Sequence, residues 1–328
     1  MTAPIITERS VIGMFYERLQ QNTASSFIDA IATTPFESDQ DSENYAWLGM
    51  VPQMTAKRGE KKFSQLRATE WEIKNVEYQG GITLPKKHII YDKTTQVQTR
   101  VNELADRTTA HWWSLIAPLL VNGEASVCYD GQFFFDTDHE EGDSGAQSND
   151  ISADISTYPV SNHGTVTAPS AGEMVHALMA GVQQMIGFKD DRGEYVNEDM
   201  NEFIVLVAPS LLMASLSALR ASSIDGGDTN VIFEQDSFRF RVQASPRLSS
   251  WTDKFALFST QGTQRPVVRQ QRKPNNAAPG YNLDGLLMET LWLDSEHCKK
   301  NDECLVSVET ERAAAYGDWK KACLVTLI

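Results

Sequence analysis

The sequence has few cysteines, and none of them are closely paired. The chain of 328 residues holds four, and no two occur at a Cys-x-x-Cys spacing. Zinc sites and redox motifs usually depend on such pairs, and disulfide-rich domains use many more cysteines. We therefore expect free thiols in a reducing cytoplasm. The alternative for His297, Cys298 and Cys304 is half of a zinc site, for which the sequence shows no clear second half.

Motifs of the common catalytic and cofactor sites are also missing. There is no Walker P-loop, no Gly-x-Gly-x-x-Gly and no Gly-x-Ser-x-Gly. The most apolar run, residues 203–219, contains Pro209 and several serines, and it is shorter than the ~20 residues of a membrane span. The N-terminal residues lack the apolar stretch of a signal peptide. We therefore expect no cofactor, no export and no membrane insertion.

Positive charge is scarce and unevenly distributed. The chain has 29 basic and 44 acidic residues and a net charge of -15, which argues against a broad nucleic-acid-binding surface. Residues 108–188 contain no lysine or arginine but ten acidic residues. This one window therefore carries about two-thirds of the net charge.

Residues 56–93 have the opposite character, with nine basic and five acidic residues. Their rough alternation and the Gly80–Gly81 pair predict two strands around a turn, a basic β-hairpin. A basic hairpin and an acidic middle suit head-to-tail contacts between identical copies, because such an interface joins two different patches. The residues expected at these contacts are Lys57, Arg58, Lys61, Lys62, Lys86 and Lys87 on the hairpin, and Asp136, Asp138, Glu140 and Glu141 in the acidic part.

The hydrophobic pattern predicts a mixed protein of helices and strands. Apolar residues recur at helical spacing from Val97 to Ile116, which predicts a long helix over residues 96–117 that Pro118 kinks or ends. The first 45 residues, with a weak helical pattern, are expected to form an arm or extended lead-in. Further helices are predicted at 173–185 and 211–221, and strands at 203–207, 238–242, 255–258, 305–308 and 324–328, the last two joined by an Ala-rich link. The fold class is α+β, with helices on a largely antiparallel sheet, and the length suits two or three lobes.

One motif suggests a hydrolase. Gly142-Asp143-Ser144-Gly145 resembles the surroundings of a trypsin-like nucleophile, and His111 and Asp130 precede it in the right order. Only 33 positions separate His111 from Ser144, whereas two-barrel proteases spread the triad over more than ~100 residues. The spacing therefore favours a polar loop tip, and no catalytic residue is assigned.

The same stretch offers oxygen and nitrogen ligands for a cation. They are Asp136, Asp138, His139, Glu140 and Asp143. As a calcium loop the register fails, since Glu141 stands where glycine is needed and Gln147 where the bidentate acid is needed. A solvated acidic turn, or one that pairs with a neighbour's basic loop, is the favoured interpretation, and no metal site is assigned.

Four blocks of sequence resemble one known family, the Mu-like phage major head subunits. The most specific block is Tyr129-Asp-Gly-Gln-Phe-Phe-Phe-Asp-Thr-Asp-His139. The others are Tyr45-Ala-Trp-Leu-Gly49 with Pro52 and the following basic run; the segment from Asn230 through Ser245-Pro-Arg-Leu248 and Trp251 to Phe255-Ala-Leu-Phe258, followed by Arg265-Pro266; and Glu311 to Ala322, with its Ala-Tyr-Gly-x-Trp element. The blocks run in family order from about residue 45 to 322.

The resemblance implies the Hong Kong 97-type phage capsid fold. Its parts would be an N-terminal arm (1–50), an E-loop β-hairpin (51–95), a peripheral domain with the long spine helix (96–159), an axial domain (160–295) and a C-terminal return to the peripheral domain (296–328). It also implies a major capsid protein of a tailed bacteriophage that assembles as hexamers and pentamers into an icosahedral head around double-stranded DNA. An encapsulin-like nanocompartment shell, which shares this fold, remains the alternative.

The partners and location follow from the same resemblance. They are other copies of the chain, a portal protein, a scaffold or maturation protease, a decoration protein, and packaged DNA held by weak non-specific contacts. The expected location is the virion, after assembly in the host bacterial cytoplasm.

Overall fold

The computed structural model describes residues 6–23, 27–38, 42–48, 68–91, 95–224, 227–234, 237–272 and 285–328. The helices are α1 (Glu8–Thr23), α2 (Ile28–Ile31), α3 (Lys86–Tyr91), α4 (Gln96–Val121), α5 (Ala171–Ile186), α6 (Leu212–Arg220), α7 (Val231–Glu234) and α8 (Glu296–Asn301). The strands are β1 (Phe36–Ser38), β2 (Ser42–Leu48), β3 (Ala68–Lys74), β4 (Val76–Pro85), β5 (Asp150–Ala153), β6 (Glu202–Val207), β7 (Ser223–Ile224), β8 (Asp228–Thr229), β9 (Arg239–Ala244), β10 (Lys254–Ser259), β11 (Val267–Arg272), β12 (Leu286–Leu291), β13 (Glu303–Tyr316) and β14 (Ala322–Leu327).

The predicted long helix is confirmed and is longer than expected. Helix α4 has 26 residues, so at 1.5 Å per residue it spans roughly 39 Å. Pro118 lies inside it rather than ending it. The helix continues for three residues to Val121, and the Asn122 amide then donates to the Pro118 carbonyl at 3.0 Å. The missing amide of Pro118 removes only one helical hydrogen bond, and it does so near an end where the helix is about to stop.

The first sheet is built around the 14-residue strand β13. On one side β13 pairs with β4, and on the other with β12 and then β11, all antiparallel, while β1 adds to β11 in parallel. The expected turn at Gly80–Gly81 is wrong, because both glycines lie in the middle of β4 opposite Val308 and Ser307. A Cβ on Gly81 would lie 3.2 Å from the Val306 carbonyl oxygen, so the glycine permits close strand approach. The expected Ala-rich link is also wrong, since residues 313–315 continue β13.

A separate hairpin precedes this sheet. Strands β2 and β3 pair antiparallel from Ser42 opposite Lys74 to Leu48 opposite Ala68. Residues 49–67, which connect them, lie outside the described residues, and with them Lys57, Arg58, Lys61 and Lys62. The base of the hairpin rests on the first sheet, where Ile73 packs with Val268 and Ala313.

The second sheet has the strand order β5-β14-β10-β6-β9. Its central pairs are antiparallel, but β5 with β14 and β6 with β9 are parallel, so this sheet is mixed rather than largely antiparallel. Helix α5 covers one face of it, and its start is fixed by a capping box between Ser170 and Glu173. The predicted helices and strands between residues 173 and 258 are confirmed to within a few residues.

Helix α4 joins two hydrophobic cores. Its first half contributes Val97, Val101 and Leu104 to a core shared with α1 and the first sheet. Its second half contributes Trp112, Ile116 and Leu120 to the larger core around the second sheet. The long helix is therefore a shared structural support for both lobes. Strands β11 and β12, from the segment expected to be axial, pair with β13 in the first sheet.

The N-terminal segment forms helices rather than an extended lead-in. Helix α1 buries Val11, Phe15 and Leu19 against α4, and Arg18 pairs with Asp106 at 2.8 Å. Within α2, Asp29 accepts a hydrogen bond from the buried Arg269 at 2.6 Å. The arm is thus packed onto the rest of the subunit along its described length.

The expectation of four free thiols is wrong for two of them. Cys298 in α8 and Cys304 in β13 form a disulfide, with their Cα atoms 4.8 Å apart. Asp302 adopts a left-handed conformation (φ 54°) between them and reverses the chain, which brings the two residues together. Cys128 and Cys323 are free and buried. Within the described residues, no helix is both long and apolar enough to cross a membrane.

A substitution at Gly317, just after β13, tests how closely the chain packs there against the loop before β11. A Cβ there would lie 2.2 Å from the Arg265 carbonyl oxygen, a backbone atom that cannot rotate away. We expect Gly317→Ala to lower the free energy of unfolding of the subunit by about 2–3 kcal/mol, measured by urea denaturation. Gly13→Ala in α1 is the control, since nothing lies within 4 Å of its added Cβ. It should be neutral or stabilise by up to ~1 kcal/mol, and similar losses in both variants would contradict this account.

Candidate interaction surface and the buried network beneath it

The chain after α4 folds into a small, rigid turn, here called the 126–134 hairpin. Val127 and Phe133 pair as an antiparallel bridge, the Phe134 amide donates to the Ser126 carbonyl at 3.1 Å, and the Cys128 amide donates to the Gln132 carbonyl at 2.6 Å. Gly131 takes the left-handed conformation (φ 91°) that closes the turn. Because side chains alternate across such a pair, its two faces differ completely.

One face of the hairpin is part of the large core, and the other is exposed. Cys128 and Phe134 are at most 1% exposed, whereas Val127 is 50% and Phe133 41% exposed. The buried face stacks Phe134 on Tyr316 with ring centroids 4.6 Å apart. Val127 and Phe133 therefore form an exposed apolar surface on a hairpin that is fixed by backbone hydrogen bonds.

A buried polar network lies beneath the loop that follows. The His139 ring is fully buried and stacks on Trp319 at 4.0 Å. Its Nδ1 is 2.7 Å from an Asp130 carboxylate oxygen, and its Nε2 is 3.2 Å from the Asn149 side-chain oxygen. The Asn149 amide group donates to the backbone carbonyls of Phe134 and Trp319 at 2.8 and 3.3 Å. Each buried polar group therefore has a partner, as a stable interior requires.

Glu141 is the charged centre of this network. It accepts hydrogen bonds from the Lys320 ammonium at 2.7 Å, the Tyr129 hydroxyl at 2.7 Å and the Trp319 indole at 3.3 Å. The Lys320 side chain is only 4% exposed, so its charge depends on this carboxylate and on Asp318 at 4.0 Å. Burial, together with the nearby acids, holds the pKa of Tyr129 well above its ordinary value, so the phenol stays a hydrogen-bond donor.

Two sequence blocks that are far apart in the chain meet here. Tyr129 to His139 contact the end of β13 and the turn Trp319–Lys321, about 180 positions later. Tyr316 also donates to the Leu119 carbonyl at 2.6 Å, which satisfies one of the free carbonyls at the end of α4. The Gly317 amide donates to the Pro266 carbonyl, and so a third block joins. Sequence analysis missed this network because lysine and glutamate are usually exposed, and nothing near Lys320 or Glu141 in the sequence indicates that the two are buried together.

The structure divides the expected acidic contact residues into two groups. Asp138 and Glu140 are exposed, while Asp136 accepts from the amides of Phe133 and Thr137 at 3.1 and 2.7 Å. Partial burial opposes ionisation of Asp136, but these amides, together with Asp138 and His139, outweigh it and lower the pKa of Asp136. Glu141, in contrast, is engaged inside the subunit with Lys320. Its role at a contact stays a prediction, as do those of the other residues named.

Two of the six expected basic residues are described. Lys86 and Lys87 begin α3, and Lys87 is exposed. Lys86 lies 3.4 Å from Asp302, next to the α8–β13 turn. These lysines therefore belong to the first sheet's end and not to the β2–β3 hairpin.

The hydrolase constellation is not assembled. The Ser144 hydroxyl donates to the Gly145 carbonyl at 2.8 Å and accepts from the Glu141 amide at 3.0 Å. Asp130 is paired with His139 and not with His111. The ring of His111, in α4, packs edge-on against Tyr78 of β4. The loop is thus a hydrogen-bonded turn. Among the described residues, no group of three or more His, Cys, Asp or Glu side chains is arranged to hold a metal ion.

The Lys320–Glu141 contact should be essential to the fold. We expect Glu141→Gln to cost about 3 kcal/mol of unfolding free energy, because it removes the carboxylate 2.7 Å from the buried Lys320 ammonium and leaves it only Asp318, at 4.0 Å. The neighbouring Glu140 is exposed, so Glu140→Gln is the matched control and should change stability by less than about 0.5 kcal/mol. Urea denaturation of the unassembled subunit gives both values. Equal effects would mean that the network does not hold the loop.

Asp150 should make stability depend on pH. Burial and the charge of Glu124 raise its pKa to about 6, against the pull of Lys254. An acid whose folded pKa is raised binds its proton more tightly in the native state, so its favourable contribution is complete below about pH 4 and is lost as pH rises through 6. Asp150→Asn should therefore be more stable than the wild type by on the order of 1 kcal/mol at pH 7 and lose that advantage at pH 4. Exposed Asp143→Asn is the control, and parallel urea-denaturation profiles for the wild type and Asp150→Asn would refute the assignment.

Part of the sequence matches a known protein family. Residues 9–161, a little under half of the chain, match the family described as Mu-like prophage major head subunit gpT. The chain is 30% identical over 109 residues to the Mu-like prophage FluMu major head subunit of Haemophilus influenzae, and 28% identical over 102 residues to the major capsid protein of Escherichia phage Mu. The aligned parts cover 33% and 31% of this chain and 35% and 33% of those relatives, so the chain matches about a third of their length.

Comparison with solved structures covers nearly the whole chain. The procapsid of bacteriophage JBD30 contains a chain that is similar over 98% of this one and 76% of its own length, with 18% identity and a TM-score of 0.53. At that identity the likeness shows the fold, which matches the fold that the sequence blocks imply. Residues 9–161 are thus similar to the Mu-like prophage major head subunits, and the fold of the chain is that of the Hong Kong 97-type capsid proteins.

Proposed function

We propose that this chain is the major capsid protein of a tailed bacteriophage, which assembles with itself into hexamers, pentamers and an icosahedral head around double-stranded DNA. The observation that carries the proposal is the family match over residues 9–161, which includes α4 and the 126–134 hairpin. A shell subunit must be stiff, and here one helix is shared by both cores.

The five-part division of the chain is part of this proposal. Residues 1–50 would be the arm, 51–95 the E-loop, 96–159 and 296–328 the peripheral domain, and 160–295 the axial domain. In support, β2 and β3 form a hairpin beside the first sheet, and α4 has the position and length of a spine. The family match also favours a phage head over a nanocompartment shell.

Contacts between copies would join unlike patches. The basic residues between β2 and β3 of one copy would lie over the acidic loop or peripheral part of its neighbour. An exposed ion pair contributes at most ~1 kcal/mol, so many weak contacts must add up around each ring. Buried apolar surface, at about 25 cal/mol per Å², must contribute more.

Other partners would act at defined stages of head assembly. A portal protein, a scaffold or maturation protease and a decoration protein suit the life cycle of such a head, which would form in the host cytoplasm and end in the virion. The net charge of -15 suits weak, non-specific contact with the packaged DNA.

Expression of the chain, alone and then with the product of a neighbouring scaffold gene, tests the proposal. Negative-stain electron microscopy should show rings of five or six, or closed shells, and light scattering should give the matching mass. A subunit that stays monomeric at high concentration in both preparations would overturn the proposal.

Charge reversal tests the basic segment. Changing Lys57, Arg58, Lys61 and Lys62 together to Glu should abolish shells but leave a folded monomer, as judged by circular dichroism and light scattering. The control reverses four exposed cations elsewhere, Arg239, Arg241, Lys299 and Lys300, and changes the net charge equally. Normal shells from the first variant, or loss of shells from both, would show that the segment's own charges do not drive assembly.

A further inference from the structure

We propose that a cleft between helix α4 and the first sheet binds a small phosphate anion, such as inorganic phosphate or pyrophosphate. The side chains that would bind it are Arg107, His111 and Arg312, which line the cleft. Its volume is about 210 Å³, which is below that of most pockets for organic ligands and suits a small ion. The site lies within one subunit, so it does not depend on the proposed self-assembly.

Three nitrogen-bearing side chains reach the cleft from two elements. Arg107 and His111 lie one turn apart on α4, and Arg312 comes from β13. The Arg312 guanidinium donates to the Thr108 carbonyl at 3.1 Å and lies 4.7 Å from the centre of the Trp112 ring. It is therefore held at the wall of the cleft, and a group that is already ordered loses little conformational freedom when a ligand binds.

Two of these side chains have hydrogen-bonding capacity that the described residues do not use. Arg107 forms no ion pair with any of them, whereas Arg100, two turns earlier on α4, pairs with Glu103 at 2.8 Å. The Nδ1 atom of His111 is buried and has no hydrogen-bond partner in the described part of the chain. A buried polar atom without a partner is costly, so a ligand oxygen that supplies one is favoured.

The charges around the cleft are positive. Burial, the charge of Arg312 and the charge of Arg247, in the turn after β9, all lower the pKa of His111. The acids Glu309 and Glu311 alternate with Arg312 along β13 and therefore point to the other face of the sheet. An anion is thus attracted to this place although the chain as a whole has a net charge of -15.

A tetrahedral oxyanion suits these donors better than a planar carboxylate. A guanidinium group donates two parallel hydrogen bonds to a pair of oxygens. Because Arg107 comes from a helix and Arg312 from a strand, and His111 adds a further nitrogen, the ligand needs oxygens that point in several directions. A phosphate group has such oxygens and carries more charge than a carboxylate. Bound in the cleft, it would connect α4 to β13.

Isothermal titration calorimetry tests whether the cleft binds phosphate. Pyrophosphate is titrated at constant ionic strength into the folded subunit, kept below the concentration at which it assembles, and should bind saturably at one site. Arg107→Gln with Arg247→Gln should weaken this binding about tenfold or more, because cationic partners of the anion are lost. Arg220→Gln with Arg241→Gln changes the net charge equally at two other exposed arginines and should leave the affinity unaltered. Absence of saturable binding, or equal weakening in both variants, would overturn the proposal.

Nuclear magnetic resonance of the subunit labelled with ¹⁵N-histidine tests the location of the anion. Pyrophosphate should shift the ring nitrogen resonances of His111, which are identified by their loss in His111→Gln. The resonances of His297, on α8, should stay in place. Shifts at other histidines without a shift at His111 would contradict the assignment of the cleft.

Competition with short duplex DNA tests the choice of a free anion. At equal total phosphate, DNA should not displace pyrophosphate, since a cleft of about 210 Å³ admits a small ion and not a double helix. Displacement would show that backbone phosphates occupy the site and would refute a free anion as its ligand. All three measurements use the unassembled subunit, so their failure is distinct from a failure of shells to form.

Discussion

The contact between Lys320 and Glu141 is the constraint on which the described fold depends most. A buried ammonium group is costly unless a carboxylate and further hydrogen bonds compensate it, and here Tyr129 and Asp318 complete the set. The contact fixes the loop after the 126–134 hairpin to the turn that connects β13 with β14. Since β13 lies in the first sheet and β14 in the second, the same network sets how the chain passes from one sheet to the other.

Helix α4 provides the second link between the two sheets. It begins in one core and ends in the other, and the Tyr316 hydroxyl caps a carbonyl at its end. The two lobes are thus connected at two places. One connection is helix α4, and the other is the turn between β13 and β14 with its buried network.

The acidity of residues 108–188 has two separate physical roles. Asp130 and Glu141 belong to the buried network, and the fully buried Glu173 closes the capping box of α5. These carboxylates stabilise the fold and are not available to a partner. Asp138 and Glu140 are exposed and give the outer side of the same loop its charge. The same acidic stretch of sequence therefore supplies carboxylates that stabilise the fold from inside and carboxylates that make the surface of this loop negative.

The sequence by itself determined the elements whose signal is local. The helical spacing of α4 and the apolar strands β6 and β10 follow from neighbouring residues, and the structure has these elements within a few positions of their predicted bounds. Only the tertiary structure decided the partners. Gly80 and Gly81 have the composition of a turn, but the ladder to β13 makes them mid-strand residues. Cys298 and Cys304 meet across a chain reversal in which Asp302 takes the left-handed conformation. Glu141 and Lys320 read as solvated charges until the fold brings them together from 179 positions apart, since burial and pairing are properties of the packed chain and not of its local sequence.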